Sequence, residues 1–432
     1  MTPPVERPSR VRHWVIVFAI TLAVITYIDR VSISRAAPSI MQDLKMDKVG
    51  MGWAFFAFGW AYALFEMPGG FLGDWLGPRR VLMRIVIWWS FFTAATGWAW
   101  NSVSLLVTRA LFGAGEAGCF PNLTKTFTIW LPERERVRAQ GLMWMSARWG
   151  GAFTPPIVGF VMREVGWRHA FEIFGCLGVV WALIFFWWFR DDPHDNPRVN
   201  AGERELLRES AALAAGHKNV PWGKLLASRQ VWMLCWQYFF LSYGWYFYIT
   251  WLPTYLKEGR GVEIKSSELL SVLPLFFGGL ANPVAVYVGS RLARRTGSVM
   301  RARRIMGCTG FIGAAGFLVY STTVHNPVYA MLAIAMSSFS NDLVMPGAWA
   351  AAMDVGGKFA GTLSGAMNMW GNVGGALCPL VTGYILKWSH ENWNLSLYVS
   401  AAIYLMGIVC WLLLDPVTTL RGCEPDAAAE RL

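Results

Sequence analysis

The segment GFLGDWLGPRR, residues Gly70–Arg80, lies between two apolar runs that are each long enough to cross a membrane, Gly50–Leu72 and Val81–Trp100. Its glycines permit two helix ends to approach closely around a tight turn. Asp74 is suited to cap a helix end and to pair with a base. These properties predict a latch that breaks and re-forms during a conformational change. The alternative is a plain basic turn between two spans.

A weaker copy of this segment occurs in the second half of the chain, between the eighth and ninth apolar runs. GSRLARRTG, residues Gly289–Gly297, is also short, basic and glycine-containing, but Ser290 stands where the first segment has Asp74. The second segment is therefore the weaker candidate for a latch. The predicted gating residues are Gly70, Gly73, Asp74, Gly77, Arg79, Arg80 and Arg291.

Long apolar runs dominate the composition of the 432-residue chain. Hydrophobic residues make up 55% of it and charged residues only 15%, whereas a soluble protein carries about 25% charged residues. Each run is near the ~20 residues that a helix needs to cross a hydrocarbon core, and the alternation typical of barrel strands is missing. The sequence predicts an all-α membrane protein with twelve transmembrane helices, centred on Trp14–Ala36, Gly50–Leu72, Val81–Trp100, Ser104–Leu123, Ala139–Met162, His169–Phe189, Val231–Trp251, Ser267–Gly289, Ile305–Thr323, Val328–Pro346, Gly361–Leu386 and Leu397–Leu414.

The polar segments between these runs predict the domain organisation and the orientation. A charged loop separates six runs from six runs, which suggests two bundles with a site between them, and Glu203–Ala215 within it is expected to form a short amphipathic surface helix. Lys and Arg are concentrated at the termini and in every second loop, which places both termini in the cytoplasm. The predicted parts are a cytoplasmic N-terminus (1–13), an N-terminal six-helix bundle (14–189), a cytoplasmic central loop (190–229), a C-terminal six-helix bundle (230–414) and a cytoplasmic tail (415–432).

Asp29 and Arg30 interrupt the first apolar run, and Arg109 and Glu116 interrupt the fourth. An ionisable group inside a span costs about 2.5–3.5 kcal/mol even on the mildest insertion scale, so these groups predict a pathway for protons, ions or a charged substrate. Helical rise places Asp29 and Arg109 at about the same depth, and Arg109 and Glu116 share one helix face. The alternative is a structural ion-pair network that joins the two helices.

The chain resembles the major facilitator superfamily, and within it the anion:cation symporter family, which moves organic anions with protons or sodium. GFLGDWLGPRR between the second and third runs is similar to the signature loop of the superfamily. The other stretches that carry the resemblance, over most of the chain, are YIDRVSIS (Tyr27–Ser34), GWAYALFEMPGGFLGD (Gly59–Asp74), RALFGAGEAGCFPN (Arg109–Asn122), GWRHAFEIFG (Gly166–Gly175), TWLPTYL (Thr250–Leu256) and GAMNMWGNVGGALCPLVTGYI (Gly365–Ile385).

The resemblance implies the major facilitator fold and roles for the charged residues of the first and fourth runs. It implies that Asp29 and Glu116 couple protons, and that Arg30 and Arg109 bind the anion or tune the two acids. The departure at Ser290 leaves the gating role of the second basic segment in doubt.

Arg148 is a further base within the apolar runs, about 13 Å into the fifth run by helical rise and so near the membrane midplane. Arginine recognises a carboxylate through two parallel hydrogen bonds. This property predicts that Arg148 binds the carboxylate of a substrate. A pairing with Glu116 is the alternative.

Polar and aromatic side chains replace charges in most of the second half. Asn368 and Asn372 lie one helical turn apart and could bond substrate hydroxyls, although each is also suited to join helices. Asn282, Asn341 and Asp342 are further candidates, and Asp342 is either a third coupling acid or the partner of a loop base. The predicted substrate-binding residues are Tyr27, Arg30, Arg109, Arg148, Gln237, Tyr246, Asn368 and Asn372.

Missing motifs exclude several classes of protein. The sequence has no G-x-x-x-x-G-K-[ST] phosphate loop, no His/Cys cluster with metal-ligand spacing and no basic soluble domain for nucleic acid. An enzyme, a cofactor and a bound metal are therefore not expected.

The expected function is import of a small organic anion, such as a sugar acid, by proton symport through alternating access. Protons rather than sodium are the expected coupling ion, and the protein is expected to be a monomeric, multi-pass protein of the bacterial inner membrane. The alternatives are an organic-anion uniporter or exchanger without proton coupling and a non-transporting nutrient sensor.

Overall fold

The computed structural model describes residues 7–46, 48–211, 220–252, 255–261, 264–420 and 423. Regular structure within these ranges is helical, and they contain no strand. The α-helices are α1 (His13–Asp43), α2 (Lys48–Leu76), α3 (Pro78–Gly97), α4 (Ser102–Glu116), α5 (Cys119–Trp130), α6 (Glu133–Trp188), α7 (Ala201–Ala211), α8 (Trp222–Ala227), α9 (Arg229–Thr250), α10 (Ile264–Thr296), α11 (Val299–Thr323), α12 (Pro327–Asp342), α13 (Met345–Gly356), α14 (Ala360–Trp388) and α15 (Trp393–Leu413). Short 3-10 turns form at Pro193–Asp195 and Gly357–Phe359, and a π turn at Tyr255–Gly259.

Many of these helices are long and apolar on their outer faces. Seven helical stretches of the described chain are long and apolar enough to cross a membrane. Large apolar side chains such as Leu183 and Trp187 are 60% and 66% exposed. Outer faces of this kind suit lipid, because a helix satisfies its own backbone hydrogen bonds and needs no water.

The helices form two compact units. The first comprises residues 1–222, 353–366 and 419–432, and the second comprises residues 223–352 and 367–418. The first unit therefore contains the predicted N-terminal bundle together with most of the central loop. It also contains two short segments from the second half of the sequence.

In the first unit, α6 packs against α1 and α3, and α2 packs against α4. Local sequence fixes where these helices begin. Pro78 takes the first position of α3 after Gly77, and Asn101 and Ser104 form a capping box at the start of α4. The first unit is thus a bundle of helices with defined ends, and it holds every charged residue predicted from the first and fourth apolar runs.

Two of the predicted spans are joined in α6. The helix continues through Pro155 and Pro156 and turns sharply at Gly166, where φ is 77°. A backbone angle of this sign favours glycine. The break therefore falls between the predicted runs Ala139–Met162 and His169–Phe189, as their separation requires.

A polar cluster ties the N-terminal segment to α7. Arg12 donates to Glu203 Oε1 at 2.9 Å and to Glu135 Oε2 at 2.9 Å, and Glu203 is fully buried. The hydrogen bond from Arg12, although opposed by burial, leaves the pKa of Glu135 below its usual range. The predicted surface helix of the central loop corresponds to α7, and its last predicted residues, 212–215, lie outside the described ranges.

In the second unit, α12 packs against α10 and α11, and α15 packs against α11 and α9. Pro274 and Pro283 lie inside α10. Each removes a backbone donor from the helix, so α10 carries carbonyl groups that its own backbone does not satisfy.

Candidate functional site

The charged side chains of α1 and α4 meet in the interior of the first unit. Arg30 Nε donates to Glu116 Oε1 at 2.7 Å, and the Glu116 side chain is fully buried. The Arg30 guanidinium carbon lies 4.5 Å from the centroid of the Tyr62 ring. A cation over an aromatic face gains about 2 kcal/mol when it is desolvated. The structure therefore joins the two helices through a partly buried ion pair that packs against an aromatic ring.

Glu116 is the last residue of α4 and lies beside a break in the helix. The chain turns at Ala117 and Gly118, where Gly118 has a φ of 82°, before α5 begins. A Cβ on Gly118 would lie 2.6 Å from the Gly69 Cα, so only glycine fits this approach of α2. The C-terminal end of α4 carries negative partial charge, which repels a carboxylate at this position. Either Arg30 or a proton is needed to offset that repulsion.

Asp29 and Arg109 are a second acid and a second base that are buried in the same region. Each is 1% exposed, and Arg109 is within electrostatic range of both Asp29 and Glu116. Among the described residues, Arg109 Nε and Nη1 donate no hydrogen bond, and the Trp89 side chain lies beside Asp29. Buried charged groups without hydrogen bonds cost stability. Such groups in a membrane helix indicate a functional site.

Arg148 lies on the part of α6 that passes α1. It is 3% exposed. A Cβ on Gly151 would lie 2.9 Å from Tyr27 Cδ1, so the backbones of the two helices approach closely at Tyr27. Arg148 precedes Gly151 by three residues and shares its helix face. The Tyr27 ring is also 5.9 Å from the Arg30 guanidinium carbon, so the structure brings Arg148, Tyr27 and Arg30 into one region.

Glu66 is a further buried acid of the first unit that was not among the residues selected from the sequence. It is 0% exposed and follows Tyr62 by one turn of α2. It lies within electrostatic range of Tyr62 and Cys119. The signal for it was an acid inside the apolar run Gly50–Leu72, the same signal that selected Asp29.

Asp74 caps the start of α14. Its carboxylate accepts hydrogen bonds from the Thr362 amide at 2.6 Å, the Thr362 hydroxyl at 2.7 Å and the Gly361 amide at 3.2 Å. The first amides of a helix have no partner within the helix, and that end carries positive partial charge. Gly70 permits this contact, because a Cβ there would overlap the Gly361 carbonyl group. Asp74 therefore holds α2 against the start of α14.

Lys125 is the base that pairs with Asp74. The two charged atoms lie 3.3 Å apart, and Lys125 also donates to the Lys358 carbonyl at 2.6 Å. Lys125 follows the predicted run Ser104–Leu123, but it lies within α5 and is 1% exposed. Gly73 lets α5 approach α2, since a Cβ there would overlap the Asn122 side chain.

Arg79, in the segment Gly70–Arg80, contacts the end of α6. Arg79 donates through Nη2 to the Phe186 carbonyl at 2.7 Å and through its amide to Asp191 at 2.8 Å. Burial raises the pKa of Asp191, and the hydrogen bond from Arg79 opposes that shift. Gly77 adopts a φ of 83° at the turn, and Arg80 is exposed. Arg79 therefore fixes the α2–α3 turn to α6.

The predicted polar residues of the second half lie in the second unit. The Tyr246 hydroxyl donates to Asn372 Oδ1 at 3.0 Å, and Asn372 Nδ2 donates to the Asn368 carbonyl at 2.9 Å. Gln237 is fully buried and contacts Met367 Sδ at 3.7 Å through Nε2. The structure therefore brings Tyr246, Asn368 and Asn372 together on α9 and α14.

The second basic segment differs from the first in structure. Helix α10 continues through this segment as far as Thr296, and the turn occurs at Gly297, where φ is 62°. The Ser290 hydroxyl donates to the Val286 carbonyl of its own helix at 2.7 Å. The Arg291 guanidinium stacks on the Tyr287 ring at 4.6 Å. Neither contact resembles the cap that Asp74 forms.

A family model described as the Major Facilitator Superfamily matches residues 19–379. The chain belongs to the major facilitator superfamily. The resemblance inferred from the sequence is therefore confirmed. Members of this superfamily are membrane transporters and not enzymes, so the expectation that the chain is not an enzyme is also confirmed.

Two bacterial relatives of this major facilitator protein match it over most of their length. It is 34% identical over 426 residues to the probable sulfoacetate transporter SauU of Cupriavidus necator, which covers 98% of each chain. It is 30% identical over 403 residues to the probable galactarate/D-glucarate transporter GudP of Escherichia coli K12, which covers 88% of each chain. Both relatives are named as transporters of organic anions.

Solved structures agree on the fold. The proton:xylose symporter XylE superposes on this major facilitator chain with a TM-score of 0.76 at 12% identity, covering 96% of this chain and 98% of that one. At this identity the comparison shows the fold alone. The protein is a multi-pass membrane transporter of the major facilitator superfamily, with the buried charges of its first unit as the candidate site.

Proposed function

We propose that the protein imports a small organic anion together with protons across the bacterial inner membrane by alternating access. The proposed topology has twelve transmembrane helices with both termini in the cytoplasm, as the loop charges predict. The single observation that carries the proposal is the buried cluster of two acids and two bases, in which Arg30 bonds Glu116 at 2.7 Å. In a cluster of this kind a proton can replace Arg30 on Glu116, and Arg30 can then bind an anion.

The proposed cycle begins with protonation of Asp29 and Glu116 from outside. Burying an ionised carboxylate is costly, and a proton removes that cost. Protonation of Glu116 releases Arg30 to bind the substrate carboxylate. The site is then close to neutral and crosses the hydrocarbon region at lower cost. On the cytoplasmic side Asp29 and Glu116 lose their protons and Glu116 recaptures Arg30, which expels the anion.

The proposed substrate class follows from the arginines of the first unit and from the substrates named for the two bacterial relatives. Sulfoacetate and galactarate, named for SauU and GudP, are both small organic dianions. Arg30, Arg109 and Arg148 offer three cationic groups in the first unit, against the buried acids Asp29, Glu66 and Glu116. With Asp29 and Glu116 protonated and Glu66 ionised, two positive charges remain for two anionic groups. We therefore assign small carboxylates with one or two negative charges as the substrates.

Proteoliposomes filled with a pH-sensitive dye test this function. External sulfoacetate or galactarate is expected to enter and to acidify the lumen, and an inward proton gradient is expected to drive accumulation. A protonophore should abolish the accumulation. Anion entry without proton movement would instead assign an exchanger or a uniporter, and binding without entry would assign a sensor.

Arg148 is proposed to contact the substrate anion directly. Hydrogen bonds to charged groups contribute about 1.5–3 kcal/mol each, so Arg148→Ala is expected to weaken anion binding by about 10- to 100-fold. Thermal stabilisation of the purified protein by a panel of organic acids measures the loss. Arg198→Ala, which removes an arginine that stacks on Trp187 outside the site, is the matched control. Unchanged stabilisation in Arg148→Ala would leave Arg148 as a partner of Glu116.

A further inference from the structure

One outward face of α10 changes from apolar to basic towards the end of the helix. Val284, Tyr287 and Val288 are exposed on this face, and Tyr287 is 57% exposed. Arg291 follows Tyr287 by one turn, is exposed, and places its guanidinium carbon 4.6 Å from the centroid of the Tyr287 ring. The stretch 272–296 of α10 is long and apolar enough to cross a membrane. Tyrosine and arginine at the end of such a helix are typical of the level of the lipid headgroups.

The turn between α10 and α11 extends this basic end. Arg294 and Arg295 lie in the last turn of α10, Arg301 lies in the first turn of α11, and all three are exposed. The sequence 289–304 contains six arginines and no acid. The start of α11 also carries positive partial charge, which adds to that of Arg301. Within the described chain, Arg291, Arg294, Arg295 and Arg301 form no ion pair, so this group of four exposed arginines attracts an anion.

The other two arginines of the segment have a different role. Arg304 donates through Nη2 to the Leu414 carbonyl at 2.7 Å, and Arg303 donates through Nη1 to the Pro416 carbonyl. These two bonds fix the chain after α15 to α11. The side chains of the four exposed arginines donate no hydrogen bond within the described ranges, so their donors remain available to a ligand.

We propose that the four exposed arginines and the apolar face beside them bind an anionic phospholipid of the surrounding bilayer. Arginine recognises phosphate through charge and paired hydrogen bonds. Val284, Tyr287 and Val288 lie on the same helix face as Arg291, where the acyl chains of a lipid held at the arginines continue into the membrane. A free anion or an acidic polypeptide would use the arginines but not the apolar face. The proposal gives Arg291 a role in lipid binding and not in a latch.

Thermal unfolding of the purified full-length protein in detergent tests this site. At constant ionic strength, added phosphatidylglycerol is expected to raise Tm in a saturable manner, and phosphatidylcholine at the same mole fraction should raise it much less. Each base near an anionic membrane surface contributes about fivefold to affinity. Arg294→Gln/Arg295→Gln should therefore raise the half-saturating fraction of phosphatidylglycerol by about 30-fold, and Arg301→Gln should raise it by about fivefold.

The matched control is Arg204→Gln/Arg208→Gln, which removes two exposed arginines of α7 and should leave the phosphatidylglycerol response unchanged. Equal Tm values in the two lipids overturn the site, as does a response that persists unchanged in Arg294→Gln/Arg295→Gln. If that variant does not fold, an unchanged response in Arg301→Gln rejects the proposal. Inorganic phosphate that raises Tm as much as phosphatidylglycerol would assign a free anion instead of a lipid. The readout needs no substrate, so it is independent of the proton-symport assay.

Discussion

Glu116→Gln is expected to abolish accumulation of the anion under a proton gradient and to leave exchange of internal for external anion near the wild-type rate. The amide keeps the size of the side chain but binds no proton, so the release of Arg30 to the anion is no longer linked to uptake of a proton. Each pH unit is worth about 1.4 kcal/mol per proton. A two-unit gradient would therefore support about 100-fold accumulation in the wild type for each proton that accompanies the anion. The variant should reach only the level that the anion gradient itself supports.

The expected survival of exchange follows from the contact of Glu116 with Arg30. Arg30 Nε lies 2.7 Å from Glu116 Oε1 in a partly buried ion pair. Glutamine at position 116 no longer holds Arg30 by charge, so Arg30 remains available for the anion in both orientations of the site. Transport then proceeds with substrate on both sides, and only the link to the proton gradient is lost.

Uptake and counterflow in proteoliposomes measure the two activities separately. Glu172→Gln is the matched control, because it makes the same chemical change at an acid on α6 that contacts Trp98 and His169. Asp29→Asn should show the same division between accumulation and exchange. Gradient-driven accumulation at the wild-type level in both Glu116→Gln and Asp29→Asn would contradict the proton-coupling role.

The sequence predicted the class of fold because hydropathy and loop charge depend on local composition. Ionisable residues in apolar runs also selected Asp29, Arg30, Arg109 and Glu116, which the structure gathers in one buried region. These predictions needed no knowledge of packing. A charge is costly wherever the membrane surrounds it.

The same rules did not predict the break in the helix beside Glu116. The run Ser104–Leu123 reads as one uninterrupted span, yet α4 ends at Glu116. Its position depends on the positive φ of Gly118 and on the approach of Gly69 from α2. A glycine-rich stretch is compatible with a straight helix that packs closely as well as with a turn, so composition does not distinguish the two.

Lys125 shows a second limit of reasoning from the sequence. A lysine at the end of an apolar run is normally counted as exposed, because an unpaired lysine is almost never buried. Its partner Asp74 lies on a different helix and its second acceptor is the Lys358 carbonyl. Contacts between residues so far apart in the chain arise only from the tertiary fold.

Asp74→Asn is expected to have the second large effect, a loss of transport through loss of the conformer described here. The Asp74 carboxylate holds the start of α14 through Gly361 and Thr362, and it balances the buried charge of Lys125. Removing one member of a buried pair costs about 3–5 kcal/mol. A cost of this size in one conformer shifts an equilibrium between two conformers by about 150- to 5,000-fold.

Two measurements separate a shift of conformers from a loss of folding. Hydrogen exchange of the peptide around Gly361 and Thr362 should become faster in Asp74→Asn, whereas exchange in the core of α6 should not change. Initial rates of uptake should fall in parallel. Asp195→Asn changes an acid in the 3-10 turn after α6 and should alter neither quantity.

The double variant Asp74→Asn/Lys125→Met divides the effect into its two causes. Methionine removes the buried cation, so the double variant is expected to regain the thermal stability lost in Asp74→Asn. It does not regain the cap on α14, because an amide at position 74 lacks the charge that the helix end favours. Fast exchange at Gly361 and slow uptake should therefore persist in the double variant. Full recovery of both would show that Asp74 serves only to neutralise Lys125 and has no part in gating.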